Sequence, residues 1–293
     1  MEPKKPDDIF ARRRQIEASL DPNRYTALRR LATDPGNRFV VCFGGGSAIG
    51  LGANVALVHI LEELDLKGQV SQIWGTSAGA IVGGSWASGT SPEKMLPLVS
   101  RGIAALIDKG LRVKTFEDCA IEFRCIAVSE DGQPRRTVLR QGALLPAIYA
   151  SMTLPGIFIS HGPLPGQDRC YFDGGVVEKT PLLSPISEHL RSGDPRKLVL
   201  LATHFGSHGH LLAGRSFIHR FFQTVDSLEE LAWPYQLLEA RNYPNVALAL
   251  LDPQINVSNV LDFSLVESHY FQAKEKFTDA LQNARLALLL GSK

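Results

Sequence analysis

Apolar and polar positions divide the chain into two alternating kinds of segment. Short apolar runs bounded by glycine, proline or polar residues read as buried strands: Arg38-Phe39-Val40-Val41-Cys42-Phe43, Val70-Ser71-Gln72-Ile73-Trp74, Cys170-Tyr171-Phe172, Lys197 to Thr203 and Val246 to Leu251. Between them lie stretches with helical spacing. Residues 53–65 repeat through Val55, Leu57, Val58, Leu61 and Leu64, and residues 142–151 read as a helix. A long helical pattern covers 214–241 with Pro234 as a kink or break, and an amphipathic terminal helix over 264–290 places Leu265, Tyr270, Phe277, Leu281 and Leu288 near one face. Ser91-Pro92-Glu93 opens another helix, with a capping serine, proline at the first helical position and an acid in the first turn. The segments 122–129 and 135–140 flank Asp131-Gly132-Gln133-Pro134 and predict a hairpin. Strands alternating with helices argue for one α/β domain with a mostly parallel sheet, here residues 37–293. A polar helical extension, residues 1–36, precedes it and stops at Asp34-Pro35-Gly36.

Composition narrows the classes. The chain has 293 residues, 44% of them hydrophobic, enough for a large core. Lysine and arginine number 31 against 30 acidic residues, a net charge of +1 that gives no electrostatic case for nucleic acid. Arg12-Arg13-Arg14 and Arg29-Arg30 are local clusters that read as a solvated helix face. Cys42, Cys119, Cys125 and Cys170 form no C-x-x-C pair and no zinc spacing, which fits a reduced interior. The charged N-terminus has no apolar signal-peptide core, and no run approaches the roughly 20 apolar residues of a spanning helix. The expected setting is cytoplasmic, at most peripheral to a membrane surface.

The chemistry concentrates at Gly75-Thr76-Ser77-Ala78-Gly79, a G-x-S-x-G between a strand pattern and the helical Ala80-Ile81-Val82. A serine at such a sharp turn is held in strained geometry with its hydroxyl pushed outward, which is a nucleophile elbow. A serine hydroxyl needs a base. Asp173 ends a short strand and is followed by Gly174-Gly175; Asp-Gly is also an ordinary turn dipeptide. His204 follows the strand 197–203, and the order Ser77, Asp173, His204 is that of an α/β-hydrolase triad. His204, His208 and His210 match no standard metal spacing. The glycine run from Gly44-Gly45-Gly46 to Gly50-Leu51-Gly52 lies between a strand and a helix and turns several amides toward one point. It lacks the lysine of a phosphate-binding P-loop, and no acidic residue supports a dinucleotide, so beside an elbow it reads as an oxyanion hole.

Gly44-Gly45-Gly46, Gly75-Thr76-Ser77-Ala78-Gly79 and Asp173-Gly174-Gly175, in that order, resemble the patatin-like phospholipase family. Ala150-Ser151-Met152-Thr153-Leu154-Pro155-Gly156-Ile157-Phe158 is similar to that family's A-S-x-x-x-P-x-x-F segment, and the likeness covers roughly residues 38–185, with helices and strands over 197–290 completing the domain. The resemblance implies a three-layer α/β/α fold and a Ser-Asp dyad without a catalytic histidine. By position, Ser77 is the nucleophile, Asp173 the general base, and the amides of Gly44, Gly45, Gly46 and Ala78 the oxyanion donors. It also implies hydrolysis of lipid acyl esters, typically phospholipids, with no metal or other cofactor. Two positions depart from the family pattern. Ser47, Ala48 and Ile49 stand where an arginine or lysine usually follows the glycines, and Glu178 stands near the place of an asparagine. The other readings of these residues are an esterase with a Ser77–Asp173–His204 triad, and a lipid-binding relative that has lost turnover.

Overall fold

The computed structural model describes residues 25–101, 103–130, 133–154, 164, 168–206, 227, 231–255, 262–282 and 289–290. The expected extension is represented by one helix, α1 (Thr26–Thr33); its earlier residues, like His208, His210 and most of the 214–230 helical pattern, lie outside this set. Strand β1 (Asn37–Phe43) follows, then α2 (Ser47–Glu63), β2 (Gln72–Thr76) and α3 (Ala78–Ala87). Helices α4 (Pro92–Ser100) and α5 (Ile103–Gly110) lead to the hairpin β3 (Glu122–Glu130) and β4 (Pro134–Leu139). Next come α6 (Leu144–Met152), β5 (Cys170–Asp173), the single turn α7 (Gly175–Glu178) and α8 (Leu183–Ser192). Strand β6 (Lys197–Thr203), helical residues 231–241 (α9), β7 (Val246–Leu251), α10 (Val266–Gln282) and β8 (Leu289–Leu290) complete the described chain.

Among the described residues the strands form one eight-stranded sheet, ordered β4-β3-β2-β1-β6-β7-β8, with β5 also paired to β3. The central pairings are parallel, as alternation of strands with helices requires; β4, β5 and β8 run antiparallel. Period-two alternation splits the strand side chains between two faces. Phe39, Val41, Phe43, Val199 and Leu201 enter the larger core beneath α2, α3, α6 and α10, while Val40, Cys42, Leu198, Leu200 and Ala202 enter a smaller one with Ile186 of α8 and Ala240 of α9. The architecture is three-layer α/β/α.

Two local readings change. The helix read from residue 53 begins at Ser47, so only Gly44-Gly45-Gly46 is loop, and the later glycines lie in the first two turns of α2. Residues 48–61 of that helix are buried without exception, which removes the amphipathic signal at its start. The terminal helix is described as far as Gln282 and does not run to 290, because Leu289 and Leu290 pair with Leu248 and Ala247 of β7.

Helix α10 covers α2. At Gly52 the two backbones approach so closely that an added Cβ would lie 2.4 Å from the carbonyl oxygen of Val266. Lys274 of α10, itself only 2% exposed, donates to Glu63 Oε1 of α2 at 2.8 Å. Gly52→Ala is therefore expected to lower stability by about 1–3 kcal/mol in urea denaturation, although alanine is intrinsically the better helix former by about 1 kcal/mol.

Candidate active site

Strand β2 ends at Thr76 and α3 begins at Ala78, which leaves Ser77 alone at the turn with φ 53° and ψ −121°. A non-glycine residue in that region carries strain, as expected for an elbow. The flanking glycines are required by close approach. A Cβ on Gly75 would lie 2.5 Å from the carbonyl oxygen of Gly79, and one on Gly79 would lie 2.0 Å from that of Phe43.

Strand β3 sets Asp173 against the elbow. Its residues 122–126 pair with β2, and its residues 127–130 pair on the same side with β5. Thr76 is level with Ile126 and Asp173 with Ala127, so the elbow and the aspartate meet end to end. The Ser77 hydroxyl lies close enough to the Asp173 carboxylate to lower its proton affinity, and Asp173 Oδ1 accepts from the Gly175 amide at 2.7 Å. Burial pushes the Asp173 carboxyl up to about 6 from 3.8, while the nearby Ser77 hydroxyl, the Gly175 amide and the charge of Lys179 pull the other way.

The end of α6 ties these two segments together. The Ser77 amide donates to Ser151 Oγ at 3.1 Å, and that hydroxyl donates to the Ile126 carbonyl at 2.6 Å. The Asp173 amide donates to the Thr153 carbonyl at 2.7 Å. Gly174 passes so close to β3 that a Cβ there would lie 2.2 Å from the Ile126 carbonyl oxygen.

The glycine loop lies beside the serine, with a Cβ on Gly45 falling 3.2 Å from Ser77 Cβ. Its amides are not all available, which corrects the expected donor set. The Gly44 amide donates to Thr203 Oγ1 and the Gly45 amide to the Lys179 carbonyl, each at 2.8 Å. Of the four expected donors, Gly44 and Gly45 are thus spent on holding the loop, and Gly46 and Ala78 remain. Ser47, the first residue of α2, has φ 49° and lines the same apolar pocket as Ser77. Leu51, Ile81, Ile103, Met152, Leu154 and Phe263 wall this pocket. Its void among the described residues is about 30 Å³.

His204 is engaged elsewhere. Its Nδ1 lies 2.9 Å from Thr180 Oγ1 and its ring stacks on Trp233 at 3.8 Å. Among the described residues no cluster of histidine, cysteine and acidic side chains could hold a metal ion, and no helix is long and apolar enough to cross a membrane.

Glu178 has a definite task that spacing does not reveal. It is 1% exposed, and its carboxylate accepts from the amides of Leu182 (2.8 Å) and Ser184 (2.9 Å), the Ser184 hydroxyl (2.6 Å) and Arg136 Nη1 (2.9 Å). It thereby fixes the start of α8. The backbone it anchors receives Thr76 Oγ1 on the Glu178 carbonyl at 2.9 Å and the Gly45 amide on the Lys179 carbonyl. Elbow and glycine loop are stapled to the segment that follows Asp173.

Residues 99–186 match the family model of patatin-like phospholipases. The match runs from the end of α4 into α8; it includes Asp173-Gly174-Gly175 and begins after the glycine loop and Ser77. A search of curated proteins gave no match. Among solved structures, the chain is similar to VipD from Legionella pneumophila at 10% identity and TM-score 0.47, covering 85% of this chain and 66% of that one. It is also similar to the type III effector protein ExoU at 15% identity and TM-score 0.41, with coverage of 86% and 54%. A further match, at 15% identity and TM-score 0.38, is the complex of SpcU with ExoU from the type III secretion system of Pseudomonas aeruginosa, with coverage of 86% and 53%. The chain therefore spans between half and two thirds of the length of these structures.

Glu178→Ala strands four donors in a buried place. It is expected to cost about 2–4 kcal/mol in denaturant unfolding, against about 1 kcal/mol for Ser184→Ala, which removes one hydroxyl.

Proposed function

We propose that the chain is a serine acyl hydrolase that cleaves carboxylic esters of lipids, phospholipids among them, through Ser77 and Asp173. The observation that carries this reading is the placement of Ser77, by the register of β3, against a buried carboxylate whose proton affinity is raised. A carboxylate in water is too weak a base for a serine hydroxyl; one titrating near 6 is better matched to work around neutrality. In the first half-reaction Ser77 Oγ attacks the ester carbonyl and its proton passes to Asp173. The carbonyl oxygen takes up the negative charge opposite the amides of Gly46 and Ala78, at the N-terminal ends of α2 and α3. Collapse expels the alcohol, which takes the proton from Asp173, and leaves an acyl-serine. In the second half-reaction Asp173 accepts a proton from water as the water attacks the acyl carbon. Ser77 leaves with that proton, and the fatty acid is released. The apolar walls of the pocket favour the acyl chain of a lipid, and contact with a membrane surface would be peripheral.

Ser77→Ala and Asp173→Asn should each reduce release of fatty acid from lipid esters by at least about a thousandfold, measured on purified folded protein. Retained turnover in Asp173→Asn rejects the dyad. Failure of a fluorophosphonate to label Ser77 in folded wild-type protein favours the lipid-binding reading.

The acid limb of kcat should have its midpoint near pH 6, because Asp173 must be ionised to accept the proton. The same shift works against the native state as pH rises from about 4 through 6. The folded carboxyl still holds its proton there and the unfolded one has lost it, so this group's stabilising contribution is full at low pH and declines across that window. A limb centred near 4 instead would assign the base to another group.

A further inference from the structure

Gly44 is held at both of its peptide groups by side chains. Its amide donates to Thr203 Oγ1 at 2.8 Å, and its carbonyl accepts from Asn54 Nδ2 at 2.9 Å. Thr203 Oγ1 in turn donates to Asn54 Oδ1 at 2.7 Å. The three bonds close a ring through two side chains 149 residues apart in sequence, both fully buried.

The surroundings make this ring unusual. Asn54 lies in α2 among Leu51, Ala53, Val55, Ala56 and Leu57, all buried, and Thr203 ends a strand of buried aliphatic residues. An amide and a hydroxyl in such a layer are unfavourable unless every donor and acceptor is met. Here the Thr203 hydroxyl, the Asn54 carbonyl oxygen and the Asn54 Nδ2 group bond one another and Gly44, with the Cys42 carbonyl a further 3.5 Å from Thr203 Oγ1. Aliphatic side chains would fill the same space without that requirement, so what the polar pair supplies is position. Position matters at this point of the chain because the Gly45 amide is fixed on the Lys179 carbonyl. The peptide units of Gly44 and Gly45 are thus both pinned, and they set the direction of the Gly46 amide, which adjoins the start of α2 one residue on.

We infer that Asn54 and Thr203 are positioning residues for the reaction, clamping Gly44 so that the remaining amides of the turn meet the oxyanion that develops at Ser77. The inference rests on the acyl-hydrolase reading and deepens it. The clamp acts before substrate arrives, so the loop has no reorganisation to undergo when charge develops.

Three substitutions test it. Thr203→Val removes the hydroxyl and keeps the shape, Thr203→Ser keeps the hydroxyl, and Asn54→Asp removes the donor to the Gly44 carbonyl. Thr203→Val and Asn54→Asp should each lower kcat for ester hydrolysis roughly tenfold to a hundredfold with KM within about threefold, and Thr203→Ser should stay within about threefold of wild type in both. The rate at which a fluorophosphonate labels Ser77 should fall in parallel with kcat. Amide hydrogen exchange at Gly44, followed by NMR, should speed up in Thr203→Val. Unchanged kcat in either Thr203→Val or Asn54→Asp overturns the inference. So does a loss in Thr203→Ser equal to that in Thr203→Val, or an effect confined to KM. If Thr203→Val does not fold, Asn54→Asp and Thr203→Ser carry the comparison. A wild-type protein that hydrolyses no ester sinks the acyl-hydrolase reading instead. The clamp is then decided by exchange alone, and unchanged protection of Gly44 in whichever of Thr203→Val and Asn54→Asp folds overturns it.

Discussion

The candidate site depends on the register of β3. Two segments nearly a hundred residues apart in sequence take their places from adjacent residues of that strand: β2 stops level with Ile126, and β5 arrives level with Ala127. Because β5 continues on the side of β3 that β2 vacates, the end of one strand faces the end of the other, and Ser77 and Asp173 meet across the gap. A slip of one residue in either pairing would turn alternate side chains to the opposite face and part the two groups. The neighbourhood of Ile126 guards against such a slip. Its carbonyl accepts from Ser151, and Gly174 approaches too closely for any side chain. The geometry of the candidate site is thus a property of a sheet, with loops serving to complete it.

A second theme is that polar groups around the site are committed before any substrate is present. Glu178 is saturated by four donors, and the backbone it anchors receives a hydrogen bond from the elbow and another from the glycine loop. Asp173 is the contrasting case: its carboxylate is desolvated, with its proton affinity raised in consequence. Rigid satisfied surroundings and one poised, costly group make an environment in which charge can develop without solvent having to rearrange.

Much of this was legible in the sequence. Alternation of short apolar runs with helical stretches gave the parallel core, because strands buried on both faces are apolar throughout. The G-x-S-x-G and Asp-Gly-Gly segments located Ser77 and Asp173, since steric demands near a backbone leave glycine as the sole solution. What could not be read shares one cause, which is long-range pairing. The Gly44 amide looks like an oxyanion donor until Thr203, 159 residues away, is seen to take it. The antiparallel return of Leu289–Leu290 onto β7 overrides a helical periodicity that reads as far as 290. Helix α2 hid its first turns because a helix buried on all sides has no polar face to mark its course. Asn54 did leave a trace, a lone amide in a run of aliphatic residues, and such an isolated polar position is a signal worth weighing.

The backbone at Ser77, with its φ of 53°, has a consequence for descent. Glycine adopts that conformation without the steric penalty borne by any side chain. Selection for robustness alone would therefore drive this position toward glycine, and a lineage released from the need for turnover would gain durability as it fell silent. Serine at this bend therefore carries a backbone cost that glycine would not.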